Sequence, residues 1–244
     1  MDRRTLLETA MGAAATLSYG LSHAQASGAN SRGPSLSGDI APSIDFTIDR
    51  RKTAFINVDM QNCFVEGYPV SAPDGPVLLP RLNAFAAVCR NGGIRVIHTA
   101  HVLRADGSNA GFLGKYIPPI HAGMINRGSH AAALHKDLVV DSRDIILEKP
   151  RFGAFHGTDL ELMLRANNIE SVIIGGIATN VCCETTAREA AARDFHVLFL
   201  SDGTATMNLG NLTAAQLQEA TCTTLRLFGQ VLPMKVAIAK IGQA

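Results

Sequence analysis

The stretch Ser171-Val-Ile-Ile-Gly-Gly-Ile177 is apolar along almost its whole length, and Ala178-Thr-Asn-Val-Cys182 follows it directly. A strand with one face in water alternates apolar and polar residues, whereas a strand that is buried on both faces is apolar throughout. The stretch therefore predicts a strand near the centre of a parallel sheet, with helices covering both faces.

Other strands are predicted on either side of this one, at residues 53–58, 94–99, 144–148, 196–200 and 230–232. Segments with helical spacing lie between them, at residues 77–90, 158–167, 180–193 and 213–227, and the tail after Met234 is a further candidate helix. Strands that alternate with helices indicate an α/β fold. We expect a three-layer sandwich with a central, mostly parallel sheet of about six strands and helices on both faces.

Two local signals refine this prediction. Thr158 with Glu161, and Thr213 with Gln216, match the capping box that opens a helix. Residues 103–130 are rich in Gly, Pro and Asn with little periodicity, so they are predicted to form a long functional loop that shapes substrate choice.

The composition narrows the class of protein. The chain has 244 residues, a formal net charge of +1 and 47% hydrophobic residues. That hydrophobic share excludes a disordered chain, and the near-neutral charge argues against a nucleic-acid partner held by phosphate contacts. No apolar run reaches the roughly 18 residues that a membrane span needs, so none is expected in the mature chain.

The N-terminus resembles an export signal. Arg3 and Arg4 precede a mildly apolar stretch at residues 9–21, and Ala24-Gln-Ala26 has the small residues of a cleavage site. We expect a twin-arginine-type signal peptide at 1–26, a flexible lead-in at 27–48 and one hydrolase domain at 49–244. This predicts an exported, periplasmic protein. The alternative is an N-terminal arm with a chance arginine pair, which would leave the protein in the cytoplasm.

The five cysteines are odd in number and irregularly spaced, which does not fit a disulfide framework. Cys182 is predicted to lie in the first turn of a helix, where free amides and the helix dipole favour a thiolate. Asp59 and Lys149 follow two other predicted strands, and the carboxyl ends of parallel strands meet at one edge of the sheet. There a lysine would lower the thiol pKa further, and a carboxylate would accept its proton. Taken singly, each residue has a structural alternative. Cys182 would be a packed thiol, Asp59 would cap a helix or turn, and Lys149 would be a solvated residue at a strand end.

The motifs resemble those of the isochorismatase-like cysteine hydrolases, over residues 53–228. They are Val58-Asp-Met-Gln-Asn62, Glu148-Lys-Pro-Arg-Phe-Gly-Ala-Phe155, Gly176-Ile-Ala-Thr-Asn-Val-Cys182 and Glu184-Thr-Thr-Ala-Arg188. Within that superfamily, the residues of the second and third motifs are most similar to those of the ureidoacrylate amidohydrolases.

The resemblance implies a role for each residue of the site. Asp59 is expected to act as acid and base, Lys149 to stabilise charge, and Cys182 to be the nucleophile. A cis peptide between Ile177 and Ala178 is expected to direct the amides of Ala178 and Cys182 into an oxyanion hole. Candidate residues for the substrate pocket are Gln61, Phe64, Phe155 and Asn180.

The implied activity is hydrolysis of a C–N bond in a small amide, ureido or N-carbamoyl substrate through a thioester. The resemblance implies no metal or organic cofactor, and it implies a homo-oligomer. Two alternatives stay open: hydrolysis of an isochorismate-type enol ether, whose usual enzymes lack the cysteine, and a catalytically silent binding module.

The sequence departs from the family's pattern at Cys63, at residues 98–101 and in the loop 103–130, and Cys183 is a further unusual residue. Cys63 stands where Asp is usual, and Cys183 stands where an apolar residue is usual; packing is the simpler interpretation of both. His98 and His101 occur where a related branch carries an Asp-x-His metal site. Because residues three apart in a strand face opposite sides, a shared metal is not expected, and His98 is predicted to lie in the core.

Overall fold

The structure is a computed structural model that describes residues 44–242. The predicted signal peptide and residues 27–43 of the predicted lead-in lie outside the described residues. Residues 44–48, where the lead-in was expected to be flexible, are packed instead: Ile48 is buried, and the Phe46 ring stacks on His196 with 4.9 Å between ring centroids. Between residues 44 and 242, no helix is long and apolar enough to cross a membrane.

Six strands form the sheet: β1 (Thr53–Val58), β2 (Arg95–His101), β3 (Ile145–Lys149), β4 (Ser171–Ile177), β5 (His196–Ala205) and β6 (Gln230–Leu232). The helices are α1 (Asn62–Val65), α2 (Gly75–Asn91), α3 (Gly111–Tyr116), α4 (Pro118–His121), α5 (Leu160–Ala166), α6 (Glu184–Ala191), α7 (Ala214–Leu225) and α8 (Met234–Gly242). A 3-10 turn at Arg50–Lys52 precedes β1, and a π turn at Thr179–Cys183 joins β4 to α6.

The sheet confirms the predicted fold class. Its strand order is β3-β2-β1-β4-β5-β6, and every neighbouring pair is parallel. The chain builds outward from β1 to β3, then returns to β4 beside β1 and builds outward again. The order therefore reverses between β1 and β4, and ligands of such sheets bind at the carboxyl ends of the strands on either side of that point.

Side chains alternate along the strands between two buried layers. Phe55 and Ile173 face the layer formed by α2 and α8, whereas Ile56 and Ile174 face the layer formed by α5, α6 and α7. All seven residues of β4 are buried. The apolar run in the sequence is thus explained by helices on both faces of the central strand.

Gly176 allows β4 to approach β1 closely. Its φ is +128°, a conformation that L residues rarely adopt, and an added Cβ would lie 2.1 Å from the backbone oxygen of Val58. Only glycine fits this position without moving one of the two central strands.

The segment 103–130, predicted to be a long loop, includes two short helices, and four of its residues line the cavity described below. That segment contains α3 and α4, and it has a small apolar cluster of its own that includes Leu113, Ile120 and Ile125. Short helices interrupted by Gly and Pro have too few turns to show a periodic pattern, so their stability comes from this cluster.

Two predicted helix starts also differ from the structure. The predicted helix at 180–193 begins as the π turn and becomes α6 only at Glu184. The capping box at Thr158 is absent: its hydroxyl donates to the carbonyl of Ala154 at 2.6 Å, and α5 begins after Asp159 without a side-chain cap. The second capping box, formed by Thr213 and Gln216 at the start of α7, is confirmed.

Candidate active site

The acid, the lysine and the thiol named from the sequence lie together at the carboxyl edge of the sheet. Asp59 directly follows β1, Lys149 is the last residue of β3, and Cys182 lies in the π turn after β4. Lys149 Nζ is 2.7 Å from Asp59 Oδ2, and neither side chain is exposed. The Cys182 sulfur lies within 4.8 Å of a carboxyl oxygen of Asp59, and the charge of Lys149 acts on its pKa.

Thr99 fixes the Asp59 carboxyl group. The Thr99 hydroxyl donates to Asp59 Oδ1 at 2.6 Å and accepts the Asp59 backbone N–H at 3.1 Å. Asp59 has a φ of +50°, which is uncommon for a residue with a side chain and is tolerated best by Asp and Asn. The sequence analysis did not identify Thr99, which lies in β2 beside the end of β1.

Lys149 is held by one ion pair and two backbone hydrogen bonds. It contacts Asp59, and it donates to the backbone carbonyls of Arg151 at 3.0 Å and Phe152 at 2.9 Å. Burial alone would lower the Lys149 pKa, but the charge of Asp59 and the nearby Cys182 outweigh burial and raise it. Lys149 is therefore a permanent cation of this site.

The prediction of a lowered thiol pKa at Cys182 is wrong for the free protein. Burial raises the pKa of this thiol above its ordinary value, and the charge of Asp59 raises it further, while Lys149 opposes both effects. The dehydration of a thiolate at this depth outweighs the attraction of one ammonium group. Cys182 is therefore a thiol in the resting site, with a carboxyl group beside it.

The backbone between β4 and the thiol has a distinctive shape. The peptide bond between Ile177 and Ala178 is cis. The Ala178 carbonyl then accepts N–H groups from both Val181 and Cys183 at 3.1 Å, which closes the π turn that carries Cys182.

A cavity of about 210 Å³ opens beside the sulfur, and Ala178 and Cys182 form part of its wall. Phe64, predicted as a pocket residue, lines it. Phe152, Met124 and Leu209 line it too and were not identified from the sequence. Nothing in their local sequence distinguishes them from ordinary core residues, because three different segments bring them together.

The other three predicted pocket residues do not line this cavity. The Gln61 amide is bonded to backbone groups of His101 and Ala132, and so it joins β2 to the following loops. Phe155 is buried among the residues that pack against α5, α6 and α7, and the Asn180 oxygen accepts the Thr206 hydroxyl at 2.5 Å.

His101 is the polar group of this region that the sequence analysis assigned to no role. It is buried at the end of β2, it lines the cavity, and its Nε2 has no hydrogen-bond partner among residues 44–242. One ligand atom each from Asp59, His101 and Cys182 lie within 4.8 Å of one another, so these residues are the donor set that could hold a metal ion. Its position at a strand end, like that of Asp59 and Lys149, was the signal that could have identified it.

The remaining sequence predictions concern core residues. His98 is fully buried and bonded to Asn57 and Asp144, which confirms a core role. Cys63 and Cys183 are also fully buried in apolar clusters, as the packing interpretation predicted. All five cysteines lie within the described residues, and all are free.

Comparisons with known proteins agree with this geometry. The model of the isochorismatase domain family matches residues 53–234. Ureidoacrylate amidohydrolase RutB of Methylorubrum extorquens is 33% identical over 177 residues, covering 64% of this chain and 71% of the relative. Nicotinamidase 3 of Arabidopsis thaliana is 32% identical over 174 residues, covering 70% and 79%.

A solved structure extends the likeness to three dimensions. The crystal structure of a cysteine hydrolase from Pseudomonas syringae pv. phaseolicola superposes with a TM-score of 0.78 at 31% identity, covering 83% of this chain and 98% of the other. The family model spans most of the residues that build the sheet and includes all three residues of the buried site. This chain belongs to the isochorismatase family.

Proposed function

We propose that this protein is a cysteine hydrolase that cleaves a C–N bond of a small amide, ureido or N-carbamoyl substrate through a thioester intermediate. The observation that carries the proposal is the buried contact of Asp59, Lys149 and Cys182 beside a cavity at the sheet's carboxyl edge. The amidohydrolase and nicotinamidase activities named for the relatives support the same reaction class.

In the first half of the reaction, Asp59 takes the proton of Cys182 as the sulfur attacks the carbonyl carbon. Because burial raises the thiol pKa, the proton stays on sulfur until substrate is in place. The S–C bond forms, and the amides of Ala178 and Cys182 stabilise the oxyanion, each by about 3 kcal/mol. The C–N bond then breaks, and Asp59 donates the proton to the leaving nitrogen.

In the second half, water replaces the sulfur. Asp59 takes a proton from water, whose oxygen attacks the thioester carbon. The C–O bond forms, the S–C bond breaks, and the proton returns to Cys182. Lys149 holds the Asp59 carboxyl group in place during both halves and offsets its charge.

Replacing the nucleophile tests this function. We expect Cys182→Ala to fold normally and to lower ammonia release from amides by at least about 1,000-fold, because no thioester can form. Cys222→Ala, a partly buried cysteine outside the cavity, is the matched control and should keep its activity. Ammonia release that persists in Cys182→Ala would refute the proposal, and pyruvate release from isochorismate in place of ammonia would favour the enol-ether reaction.

We also propose that the protein is exported by the twin-arginine route and acts as a homo-oligomer. The first proposal rests on Arg3, Arg4 and the small residues at 24–26. Export should stop in an Arg3→Lys, Arg4→Lys double variant, measured by fractionation of cells that express the full chain. Light scattering tests the second proposal, since a monomeric mass at micromolar concentration would contradict it.

A further inference from the structure

The cavity beside Cys182 is apolar. Apart from His101 and Cys182, every side chain that lines it is a hydrocarbon, an aromatic ring or a methionine, and no charged side chain lines it. Its volume of about 210 Å³ is smaller than the roughly 300–1,000 Å³ of most drug-sized ligand pockets. The space fits a short acyl group.

A substrate carboxylate would have no partner in this cavity. Lys149 does not line the cavity; it is paired with Asp59 and donates to the backbone carbonyls of Arg151 and Phe152. Arg151 does not line the cavity either, and its Nη1 donates to the carbonyls of Asn109 and Pro150. A carboxylate that entered would lose its hydration without a compensating ion pair.

His101 places one polar side chain on the cavity wall. Its Nε2 is buried and has no hydrogen-bond partner among residues 44–242. An imidazole nitrogen that carries a lone pair accepts one hydrogen bond.

We infer, building on the proposed hydrolase function, that the preferred substrate is an uncharged primary amide with a short apolar acyl group. The acyl group fills the cavity, and an amide N–H donates to His101 Nε2. A ring nitrogen of His101 lies within 4.8 Å of the Cys182 sulfur and of a carboxyl oxygen of Asp59, where the leaving nitrogen must be protonated. Ureido and N-carbamoyl acids, which bring a carboxylate, are poor substrates.

A pair of near-isosteric amides tests the inference. Butyramide and succinamate share their amide and differ in a terminal methyl or carboxylate. We expect kcat/KM for butyramide to exceed that for succinamate by at least 100-fold, measured as ammonia release. Equal or faster cleavage of succinamate that still depends on Cys182 would overturn the inference and leave the proposed function standing. Cys182-dependent release from an N-carbamoyl compound but from neither amide would overturn the inference alone, whereas no Cys182-dependent release from any of the three would contradict the proposed function.

A variant that adds a cation at the cavity tests the cause of this selectivity. Leu209 lines the cavity and is 59% exposed, so Leu209→Arg leaves the core intact. We expect this change to raise kcat/KM for succinamate at least 10-fold. Leu162 lies on α5, is 70% exposed and is outside the cavity. Leu162→Arg should therefore leave kcat/KM for both substrates unchanged. An unaltered ratio in Leu209→Arg would show that the apolar lining does not exclude the anion.

A substrate-free measurement completes the test. Iodoacetamide and iodoacetate alkylate the same sulfur and differ in charge. For Cys182 we compare the ratio of the alkylation rate by iodoacetamide to the rate by iodoacetate. We expect this ratio to be at least 10-fold higher in the native protein than in urea. A native ratio equal to or below the unfolded ratio would contradict an anion-excluding cavity.

Discussion

At the scale of single residues, Thr99 determines how Asp59 meets the other two groups of the site. Its hydroxyl occupies one carboxyl oxygen at 2.6 Å, which leaves the other oxygen for Lys149 at 2.7 Å. The carboxyl group is thus held from both sides, with the thiol close by. Thr99 touches neither the cavity nor the sulfur in this arrangement, so it is a positioning residue.

We expect Thr99→Val to lower kcat/KM by about 10- to 100-fold, since a hydrogen bond to a charged group is worth about 1.5–3 kcal/mol. Thr99→Ser keeps the hydroxyl and should restore most of the activity. Ammonia release and circular dichroism, measured together, separate lost positioning from lost folding. Full activity in folded Thr99→Val would show that Lys149 alone orients Asp59.

The residue scale also shows where sequence reasoning stops. The motifs indicated Asp59, Lys149 and Cys182, because strand ends converge at one sheet edge. They could not give the thiol pKa, since the balance between burial and the Lys149 charge depends on how much protein covers the sulfur. Gln61 lies in the same motif as Asp59, yet its amide group is hydrogen bonded to backbone groups of Ala132 and His101 and does not reach the cavity.

At the scale of elements, one carboxylate links a helix and two strands. Asp144, just before β3, accepts two hydrogen bonds from Arg90 of α2, at 2.6 and 2.9 Å, and lies 3.0 Å from His98 of β2. The side chains of Asp144 and His98 are each 1% exposed, and that of Arg90 is 7% exposed. This network joins the edge strand β3, which carries Lys149, to the rest of the sheet.

We expect Asp144→Asn to lower the free energy of unfolding by about 3 kcal/mol or more, because it leaves Arg90 buried without its partner. Burial raises the Asp144 pKa, but the bonds from Arg90, Asp141 N–H and His98 outweigh burial and lower it. The carboxylate therefore stabilises the fold above its ordinary pKa of 3.8, and this stability is lost as pH falls through the lower folded value.

Urea unfolding at several pH values measures this effect. The gap in stability between the parent and Asp144→Asn should be full near pH 6 and should shrink below about pH 4. Asp137→Asn, which removes an exposed ion pair with Lys136, is the matched control and should cost less than about 1 kcal/mol. A gap that does not change with pH would assign the effect to packing and not to charge.

At this scale, long elements could be predicted from the sequence more readily than single turns. The apolar run of β4 identified a central strand because seven successive residues are buried. The π turn could not be predicted, since its apolar spacing over a single turn is indistinguishable from that of an α-helix. Thr158 does not form the predicted capping box, because α5 begins one residue later, after Asp159. The Thr158 hydroxyl donates to Ala154 O and accepts the Leu160 N–H at 3.3 Å.

At the scale of the whole molecule, the central strands transmit any distortion to both helical layers and to the site. Gly176 is the point of closest approach, since an added Cβ would meet Val58 O at 2.1 Å and Val58 N at 2.6 Å. Val58 precedes Asp59, and Gly176 precedes the turn that carries Cys182. A shift between β1 and β4 would therefore also separate the carboxyl group from the thiol.

We expect Gly176→Ala to lower the free energy of unfolding by about 3 kcal/mol, through both the steric clash and the positive φ. Gly242→Ala, where nothing lies within 4 Å of the added methyl, should stay within about 0.5 kcal/mol of the parent. Thermal unfolding of both variants provides the comparison. Parent-like stability in Gly176→Ala would mean that the two central strands can move apart at little cost.

The five free cysteines report on the fold as a whole. Cys63, Cys89 and Cys183 are fully buried, Cys182 is 4% exposed at the cavity, and Cys222 is only partly buried. We expect native protein to be alkylated by iodoacetamide at Cys182 and Cys222 alone, and denatured protein at all five, as counted by peptide mass spectrometry. Fewer than five modified thiols without reductant would reveal a disulfide. Native labelling of both Cys89, which packs with α2 and α8, and Cys183, which packs with α5 to α7, would instead show that both layers open on the timescale of labelling, whereas labelling of one of them would show local opening.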